Sequence, residues 1–278
     1  MPLKNNTIFI TGASTGIGYA TALDLDRRGV RVFATVRREA DGRALAAEAS
    51  PQLRVLYLDV TDAEAIRRAA AEVDAAVGEA GLDGLVNNAG VVETGPIEFV
   101  SLDALRRQLE VNVTGQVAVT QAFLPLLRRA RGRIVNVGSV GGLNVLPFAG
   151  AYCASKFALE AVTDALRMEL REWGIEVVLI EPGSVATPIW TKGAGKILSD
   201  EAIAMYGAGL QAMKKAVEAT ASQGIAPEVV AGVIYKALTA RRPRTRYLVG
   251  RMAYVRALVQ KLPDRLRDTL LLRRLTQD

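Results

Sequence analysis

A tyrosine and a lysine, Tyr152 and Lys156, stand four positions apart in the second half of the chain. On a helix, residues at this spacing lie on the same face, one turn apart. A tyrosine phenol has a pKa of about 10 and is a poor base at neutral pH, but a neighbouring ammonium group stabilises its phenolate. The pair therefore predicts that Lys156 brings the pKa of Tyr152 down to about 7, so that the phenol can exchange a proton with a substrate oxygen.

Two further polar residues complete a candidate group for proton transfer. Ser139 follows a predicted strand, and its hydroxyl could hold a substrate oxygen against the phenol. Asn112 lies within a predicted helix, although asparagine has a weak helix propensity. Taken singly, Ser139 fits a strand-end hydroxyl and Asn112 fits a helix kink or cap. The chain has no histidine, which excludes imidazole bases and histidine–zinc sites, and no metal site is expected.

A glycine-rich turn near the N-terminus, residues 11–18, reads Thr-Gly-Ala-Ser-Thr-Gly-Ile-Gly between a predicted strand and a predicted helix. Glycines allow the backbone to approach a pyrophosphate closely, and the start of the helix supplies free N–H groups and a positive dipole end. The turn therefore indicates a dinucleotide site, and the alternative is a glycine-rich connection that binds nothing.

Short apolar runs alternate with longer amphipathic segments along the chain. Predicted strands cover residues 7–10, 30–36, 53–60, 85–88, 133–137, 176–180 and 246–249. Predicted helices cover residues 16–28, 63–79, 102–129, 152–173 and 227–240. The strands are rich in Val and Ile and lack polar alternation, as expected for strands buried on both faces. The pattern predicts an α/β fold with a single doubly wound parallel sheet of Rossmann type and helices on both faces.

Composition and charge separate the C-terminal end from the rest of the chain. Half of the 278 residues are apolar, which is enough for a large core, and a single cysteine, Cys153, excludes an internal disulfide and suits a reducing, cytoplasmic compartment. Residues 188–225 have no strand partner and are predicted to form a helical substrate lid within a catalytic domain of residues 1–250. The basic excess lies in the tail, because residues 241–278 hold 11 basic and 3 acidic side chains.

The tail, residues 251–278, is predicted to be basic and amphipathic. Residues 254–262 predict a short helix with Val255, Leu258, Val259 and Leu262 on one face, and a second helix opens at Pro263. Such a helix could lie on the surface of an anionic membrane, or it could pack on the body or on a second subunit. No nucleic-acid-reading motif accompanies the basic residues, so no nucleic-acid partner is expected. No uncharged run is long enough to span a bilayer.

The turn at 11–18 and the Tyr152–Lys156 pair, taken with Ser139 and Asn112, resemble the short-chain dehydrogenase/reductase family. The resemblance covers residues 3 to about 250. Within the family, residues 32–37 and 138–160 look most like the subgroup of estradiol 17β-dehydrogenase type 1 and retinol dehydrogenase. It implies an oxidoreductase that transfers a hydride between a nicotinamide cofactor and an alcohol or ketone, with Tyr152 as general acid and base. It also implies a homodimer or homotetramer built from the helices at 102–129 and 152–173.

The resemblance also implies roles for particular residues. The counterpart of Asn112 holds a water that connects the lysine to solvent, and Lys156 also grips the nicotinamide ribose. Asp59 looks like the adenine contact, residues 88–90 like a sheet-stabilising motif beside the cofactor, and residues 182–187 like the loop that holds the carboxamide. The implied cofactor site comprises Gly12, Ser14, Thr15, Gly16, Ile17, Gly18, Arg37, Arg38, Asp59, Val60, Asn88, Ala89, Gly90, Val111, Tyr152, Lys156, Pro182, Gly183, Val185 and Thr187.

The end of the second predicted strand bears on the choice between NADP and NAD. An acidic side chain there would bind the ribose hydroxyls of NAD and repel a 2′-phosphate. The chain instead has Thr35 and Val36, followed by Arg37 and Arg38, and arginine can grip a phosphate with two parallel hydrogen bonds. The sequence therefore predicts a preference for NADP over NAD. The alternative is that both arginines are solvated surface charges.

The predicted substrate pocket is apolar, which favours a lipophilic alcohol or ketone such as a steroid, a retinoid or a long-chain carbonyl compound. The alternative for each pocket residue is ordinary packing of the core or lid. Its core members are Leu143, Leu146, Phe148 and Trp190, with Gly142, Val145, Ile189, Met205 and Met213 around them.

Two rival functions are a non-catalytic sensor of NADPH and a lipid-binding protein of membrane surfaces. The sensor is disfavoured because all four catalytic candidates are present.

Overall fold

The computed structural model describes residues 3–190 and 199–276. Seven parallel strands form one sheet in the order β3-β2-β1-β4-β5-β6-β7. The strands are β1 (Thr7–Ile10), β2 (Arg31–Val36), β3 (Leu53–Tyr57), β4 (Gly84–Asn87), β5 (Arg133–Val137), β6 (Glu176–Pro182) and β7 (Arg246–Val249). The strand order reverses between β1 and β4, and in open sheets of this kind the crevice beyond that point binds ligands.

Helices cover both faces of the sheet, and two large apolar clusters fill the space between sheet and helices. The helices are α1 (Gly16–Arg27), α2 (Glu39–Glu48), α3 (Ala63–Val77), α4 (Leu102–Leu109), α5 (Gly115–Ala130), α6 (Gly150–Glu169), α7 (Asp200–Gln223), α8 (Pro227–Thr239), α9 (Arg251–Val259) and α10 (Asp264–Thr276). The doubly wound α/β fold predicted from the sequence is confirmed. Its apolar strands are almost wholly buried because helices pack against both faces.

Two helical segments differ from the sequence prediction. Helix α2 was not predicted, because only Gly42 and Leu45 of its ten residues are buried and no apolar stripe marks it. The single helix predicted over 102–129 is split by a π-helical turn, Glu110–Thr114, which carries the buried Asn112. Such turns inside helices often mark functional sites.

The predicted lid and tail are both helical in the part of the chain that the structure describes. Helix α7 covers most of the predicted lid, and residues 191–198 of that prediction lie outside the described residues. Helix α9 packs against β7, and α10 packs against α7. The predicted helix 254–262 is observed three residues earlier, because Gly250 with a φ of 88° ends β7 and starts α9. Within residues 3–190 and 199–276, none of the helices has the length and hydrophobicity that crossing a bilayer requires.

Candidate active site

A cavity of about 900 Å³ opens at the carboxyl ends of the strands. Its wall includes the glycine turn after β1, the segments after β4, β5 and β6, and residues of α7, α9 and α10. All four catalytic candidates, Asn112, Ser139, Tyr152 and Lys156, line this one cavity. Most of the predicted cofactor residues line it as well: Gly12, Ser14, Thr15, Gly16, Ile17, Arg37, Asp59, Val60, Asn88, Ala89, Gly90, Val111, Pro182, Gly183, Val185 and Thr187.

The glycine turn forms a cradle that only glycines allow. Gly12 has a φ of 71°, and a Cβ there would lie 2.7 Å from the Cα of Ala89. Gly16 has a φ of 64°, and a Cβ there would lie 2.9 Å from the Thr187 Cγ2. Helix α1 begins next to this cradle with no acidic residue in its first turn, so its positive end is not neutralised by the helix's own side chains. The shape and charge of the turn fit the pyrophosphate of a dinucleotide.

The third glycine of the turn, Gly18, lies outside the cavity wall. A Cβ there would lie 2.3 Å from both the Asn88 Nδ2 and the Gly12 oxygen, so Gly18 permits the close packing of α1 on the turn. Asn88 donates from Nδ2 to the backbone oxygens of Thr11 and Gly12, at 3.0 Å and 2.9 Å. The side chain of Asn88 thereby joins the end of β4 to the glycine turn and holds the cradle in shape.

Tyr152 and Lys156 lie one turn apart on α6, and both are buried. The Tyr152 phenol hydrogen-bonds the hydroxyl of Ser139, which in turn accepts the backbone N–H of Gly141 at 3.0 Å. The Lys156 Nζ lies 5.9 Å from the centre of the Tyr152 ring and donates to the backbone oxygen of Val137 at 2.8 Å. The three residues that carry the hydroxyl, the phenol and the amine therefore lie close together in the cavity wall.

The prediction of a lowered pKa for Tyr152 is wrong for the protein by itself. Burial raises the pKa of Tyr152 to about 12, and the hydrogen bond from Ser139 opposes this only in part. Burial also lowers the pKa of Lys156 to about 8, against the attraction of Glu160. Desolvation penalises the charged form of both groups and here exceeds the effect of their proximity. A phenol with a raised pKa keeps its proton at pH 7, so the proton is present for transfer to a substrate oxygen.

The Asn112 side chain is held by hydrogen bonds to two different segments. Its Oδ1 accepts the N–H of Val91 at 2.8 Å, and its Nδ2 donates to the oxygen of Val91 at 3.0 Å and to the Ser155 Oγ at 3.0 Å. Ser155 lies between Tyr152 and Lys156 on α6. The π-helical turn thus connects the segment after β4 to the helix that carries the tyrosine and the lysine.

The structure places only one of the two predicted arginines in the cavity wall. Arg37 lines the cavity at the end of β2, with its Nη1 3.8 Å from the Asp59 carboxylate. Arg38 lies outside the cavity wall, because it forms two hydrogen bonds to Asp41 at 2.9 Å and 2.8 Å in the first turn of α2. For Arg38, the surface charge that the sequence left as an alternative is what the structure shows. Arg37 is therefore the candidate ligand for a 2′-phosphate.

The apolar part of the cavity lies beyond Tyr152. Of the four predicted core pocket residues, Leu146 and Trp190 line it, and the Trp190 ring packs edge-on against the Tyr152 ring at 5.1 Å. Leu143 and Phe148 do not line it, because Leu143 ends a short turn and the Phe148 ring packs against Tyr206 at 6.1 Å. Of the surrounding set, Ile189 and Met213 line the cavity, whereas Gly142, Val145 and Met205 do not.

The tail supplies wall residues that the sequence did not assign to the pocket. Met252, Val255, Arg256 and Val259 of α9 line the cavity, as do Leu270 and Leu271 of α10. The sequence predicted an apolar face that included Leu258, but this side chain is 66% exposed. The usable signal was the spacing 252, 255, 256 and 259, which is that of one helix face once the helix begins at Arg251.

Two buried carboxyl groups meet behind Lys156. Glu160, one turn after Lys156 on α6, lies close enough to Glu181 on β6 for the two carboxyl groups to affect each other's pKa. One oxygen of each carboxyl is buried without any donor among the described residues, so a single shared proton would satisfy both. Arg246 on β7 donates to the other Glu160 oxygen at 3.0 Å and to Asp164 at 2.8 Å. Burial and the Glu160 charge raise the pKa of Glu181 to about 7.

This raised pKa predicts a decrease in stability as the pH rises. A carboxyl that is protonated in the folded state up to about pH 7 gives the fold more bound protons than the unfolded chain, whose glutamate titrates at about 4.3. The free energy of unfolding should therefore fall between pH 4.5 and pH 8. Glu181→Gln replaces the protonated form and should flatten this fall, so that its Tm exceeds that of the wild type at pH 8.5 but not at pH 5. Thermal unfolding at both pH values measures this, with the exposed Glu201→Gln as control. Equal pH slopes for the wild type and Glu181→Gln would contradict the shared proton.

Comparison with known proteins identifies a matching family and several relatives of similar sequence. The family model described as short chain dehydrogenase matches residues 6–196. The chain is 38% identical to the NADPH-dependent 3-dehydrocapnine reductase of Ornithobacterium rhinotracheale, over 97% of this chain and 98% of that protein. It is 40% identical to human retinol dehydrogenase 5, over 90% and 82% of the two chains. It is 38% identical to mouse estradiol 17-beta-dehydrogenase 2, over 92% and 71%.

Solved structures show the same architecture. A short-chain dehydrogenase from Streptomyces avermitilis superposes with a TM-score of 0.79 and 30% identity, covering 95% of this chain and 94% of that one.

Within the residues described, no group of three or more Cys, Asp or Glu side chains is placed to hold a metal ion.

Proposed function

The chain belongs to the short-chain dehydrogenase family and is an oxidoreductase, and from this premise we propose that it is an NADP(H)-preferring enzyme that interconverts a lipophilic ketone and its alcohol. One observation carries the proposal. The Tyr152 phenol, the Ser139 hydroxyl and the Lys156 ammonium meet in the same cavity as the glycine cradle, at the boundary with an apolar wall. The first rival, a sensor without turnover, does not account for this arrangement of proton-transferring groups.

The proposed mechanism assigns the proton to Tyr152. A bound NADPH would supply the hydride to the carbonyl carbon. Ser139 donates a hydrogen bond to the carbonyl oxygen and holds it against the phenol, and Tyr152 donates its proton to the oxygen as negative charge develops there. Lys156 stabilises the resulting phenolate through its positive charge and binds the ribose hydroxyls. In the oxidative direction Tyr152 would have to lose its proton first, and the positive charges of Lys156 and of a bound NADP⁺ would favour the phenolate that then removes the proton of the alcohol.

The proposed residues for the cofactor are those of the cradle and of the strand ends. Backbone N–H groups at the start of α1 would bind the pyrophosphate, and Thr187, close to Gly16, and Val185 would hold the nicotinamide end. Asp59 and Val111 would line the adenine site. One relative of high coverage is named as NADPH-dependent, and Arg37 supports the same preference here.

Arg37→Ala should change the preference between the two nicotinamide cofactors. The guanidinium offers charge-assisted hydrogen bonds to a 2′-phosphate, each contributing about 1.5–3 kcal/mol. The KM for NADPH should therefore rise by about 10- to 100-fold, while the KM for NADH changes little. Steady-state kinetics with both cofactors measures this, and Arg38→Ala is the matched control because its side chain pairs with Asp41. A wild-type preference for NADH that Arg37→Ala leaves unchanged would overturn the assignment.

The reaction itself is tested by following NADPH oxidation with a panel of steroid ketones, retinals, diketones and long-chain ketones. The apolar wall and the named retinol and estradiol dehydrogenases among the relatives support a lipophilic substrate. Turnover of at least one class, lost in Tyr152→Phe, is the expected result. Tight binding of NADPH with no turnover across the panel would favour the sensor.

We also propose the remaining attributes of the enzyme. A homodimer formed through α5 and α6 is supported by the exposed apolar side chains of Phe157 and Met168 on α6. Peripheral contact with an anionic membrane is supported by Tyr254 and Leu258, which are exposed on α9 beside basic residues. The same exposed residues also fit the second rival function, that of a lipid-binding protein of membrane surfaces. A cytoplasmic location with peripheral membrane contact fits these features.

A further inference from the structure

Phe148, in the segment between β5 and α6, has an unusual backbone conformation. Its φ is 64°, in the left-handed region that bulky side chains rarely adopt. Such a conformation persists only where surrounding contacts hold the residue in place, and it is concentrated at functional sites. The backbone oxygen of Phe148 accepts the N–H of Gly95 at 2.8 Å, and the next residue, Ala149, is the N-cap of α6. Phe148 is therefore held firmly, four residues ahead of Tyr152.

The Phe148 ring occupies a gap that a glycine leaves in the surface of α7. A Cβ on Gly209 would lie 2.5 Å from the Cζ and 2.7 Å from the Cε2 of this ring, so only glycine leaves room for it there. Tyr206, one turn earlier on the same face of α7, meets the Phe148 ring edge-on, with the ring centres 6.1 Å apart. Tyr206 and Gly209 thus form a socket around the ring, the Phe148 socket.

A second segment also contacts the Phe148 socket. The Tyr206 hydroxyl donates to the Glu98 carboxylate at 2.8 Å, and the Phe99 ring meets the Tyr206 ring edge-on at 6.1 Å. Glu98 and Phe99 lie in a short turn between β4 and α4, whereas Phe148 lies between β5 and α6. The first half of α7 is therefore docked on the two segments that lead from the strand ends to the helices of the candidate active site.

The same face of α7 continues to the substrate side of the cavity. Met213 and Val217 follow Gly209 by four and eight residues, which places them on its side of the helix. Both side chains are buried, line the cavity and belong to the apolar cluster that contains Tyr152. The position of this apolar wall relative to the Tyr152 phenol therefore depends on where α7 docks.

We propose that Phe148 is a positioning residue for the substrate, because its ring in the Phe148 socket holds the apolar wall of α7 in place opposite Tyr152. This inference rests on the proposed function and adds a residue whose side chain does not line the cavity. The docked helix presents Met213 and Val217 to the substrate, and apparent substrate affinity falls in proportion to the docked fraction. A weakened socket therefore raises the KM for the ketone and leaves kcat and cofactor affinity nearly unchanged.

Hydrogen exchange followed by mass spectrometry tests the docking of α7 without any substrate. In Phe148→Ala and in Gly209→Ala, the backbone amides of residues 204–217 should exchange about tenfold faster than in the wild type. Gly207→Ala on the same helix is the matched control, because a Cβ there would have no described atom within 4 Å. Both glycine substitutions raise helix propensity to a similar degree, which by itself slows exchange. Faster exchange in Gly209→Ala but not in Gly207→Ala therefore reports the displaced ring.

The double variant distinguishes the ring contact from general damage to the fold. Once Phe148→Ala has removed the ring, adding Gly209→Ala should accelerate exchange no further, because the two residues act through one contact. Effects that multiply in the double variant would show that the two residues act independently, and they would exclude the Phe148 socket. Wild-type exchange over residues 204–217 in both single variants would exclude it as well.

Steady-state kinetics separates this inference from the proposed function. With a ketone that the wild type reduces, Phe148→Ala should raise KM about tenfold and keep kcat within about threefold, the pattern of lost substrate binding rather than lost chemistry. The Kd for NADPH should change less than about twofold, because the glycine cradle is intact. An unchanged KM, or a loss of kcat as large as the rise in KM, overturns the positioning role and leaves the reductase intact. No reduction of any ketone by the wild type, with exchange that still depends on the ring, overturns the reductase and supports the docking of α7 by Phe148.

Discussion

Tyr152→Phe is expected to lower kcat for ketone reduction by about 10²- to 10⁴-fold, the usual contribution of a positioned general acid. Phenylalanine keeps the ring that packs on Trp190 but removes the hydroxyl that bonds Ser139. The phenol is buried and holds its proton at neutral pH, so no solvent group replaces it readily. Stopped-flow measurement of NADPH oxidation gives the rate of the chemical step.

Binding of NADPH should survive this change, because the glycine cradle and Lys156 remain. Protein fluorescence titrated with NADPH should give a Kd within about threefold of the wild type. Tyr254→Phe on the exposed face of α9 is the control and should leave turnover unchanged. A Tyr152→Phe enzyme with more than a few per cent of the wild-type rate would exclude the phenol as the acid.

Lys156→Met is expected to damage both turnover and cofactor binding. The methionine fills a similar volume but has no ammonium to stabilise the phenolate or to bind the ribose hydroxyls. The loss of turnover should be about 10²-fold or more, and the Kd for NADPH should rise roughly tenfold, as for one lost charge-assisted hydrogen bond. The combination separates Lys156 from Tyr152, whose loss affects turnover alone.

The control for Lys156→Met is Lys236→Met, on a helix that contributes nothing to the cavity wall among the described residues. Circular dichroism and Tm should show that Lys156→Met still folds, because its amine makes one hydrogen bond, to the Val137 oxygen. Unchanged NADPH affinity in Lys156→Met would contradict the ribose contact while leaving the electrostatic role.

The electrostatics of Tyr152 and Lys156 were predicted only in part. The four-residue spacing of Tyr152 and Lys156 brings them to one helix face. This placement could be predicted because it depends only on the positions of the two residues within one helix. For the protein without a cofactor, the predicted direction of the Tyr152 pKa shift was wrong, because that shift depends on how completely the site is desolvated. Tyr152 is buried in a cluster with Val92, Trp190 and Met213, which are distant in the chain, and the spacing of two residues contains no information about that packing.

The residues of the cavity wall were also predicted only in part. The glycines at 12 and 16 were predictable because a tight β–α turn with close backbone contacts needs them at fixed positions. Arg37 and Arg38 could not be distinguished by sequence, because the start of the unpredicted helix α2 ties Arg38 to Asp41. The contribution of Arg256 also escaped prediction, since its partner Asn144 is 112 residues away.

The sequence alone determined the alternation of strands and helices, the cradle after β1 and which residues are proposed to transfer the proton. Each of these follows from side-chain periodicity or from the backbone freedom of glycine over a few neighbouring positions. Only the tertiary structure decided that the tail lines part of the cavity, that Glu160 lies beside Glu181 and which arginine lines the candidate cofactor site. Those contacts join residues far apart in the chain, and their free energies depend on burial and on partners that exist only once the sheet and helices have packed.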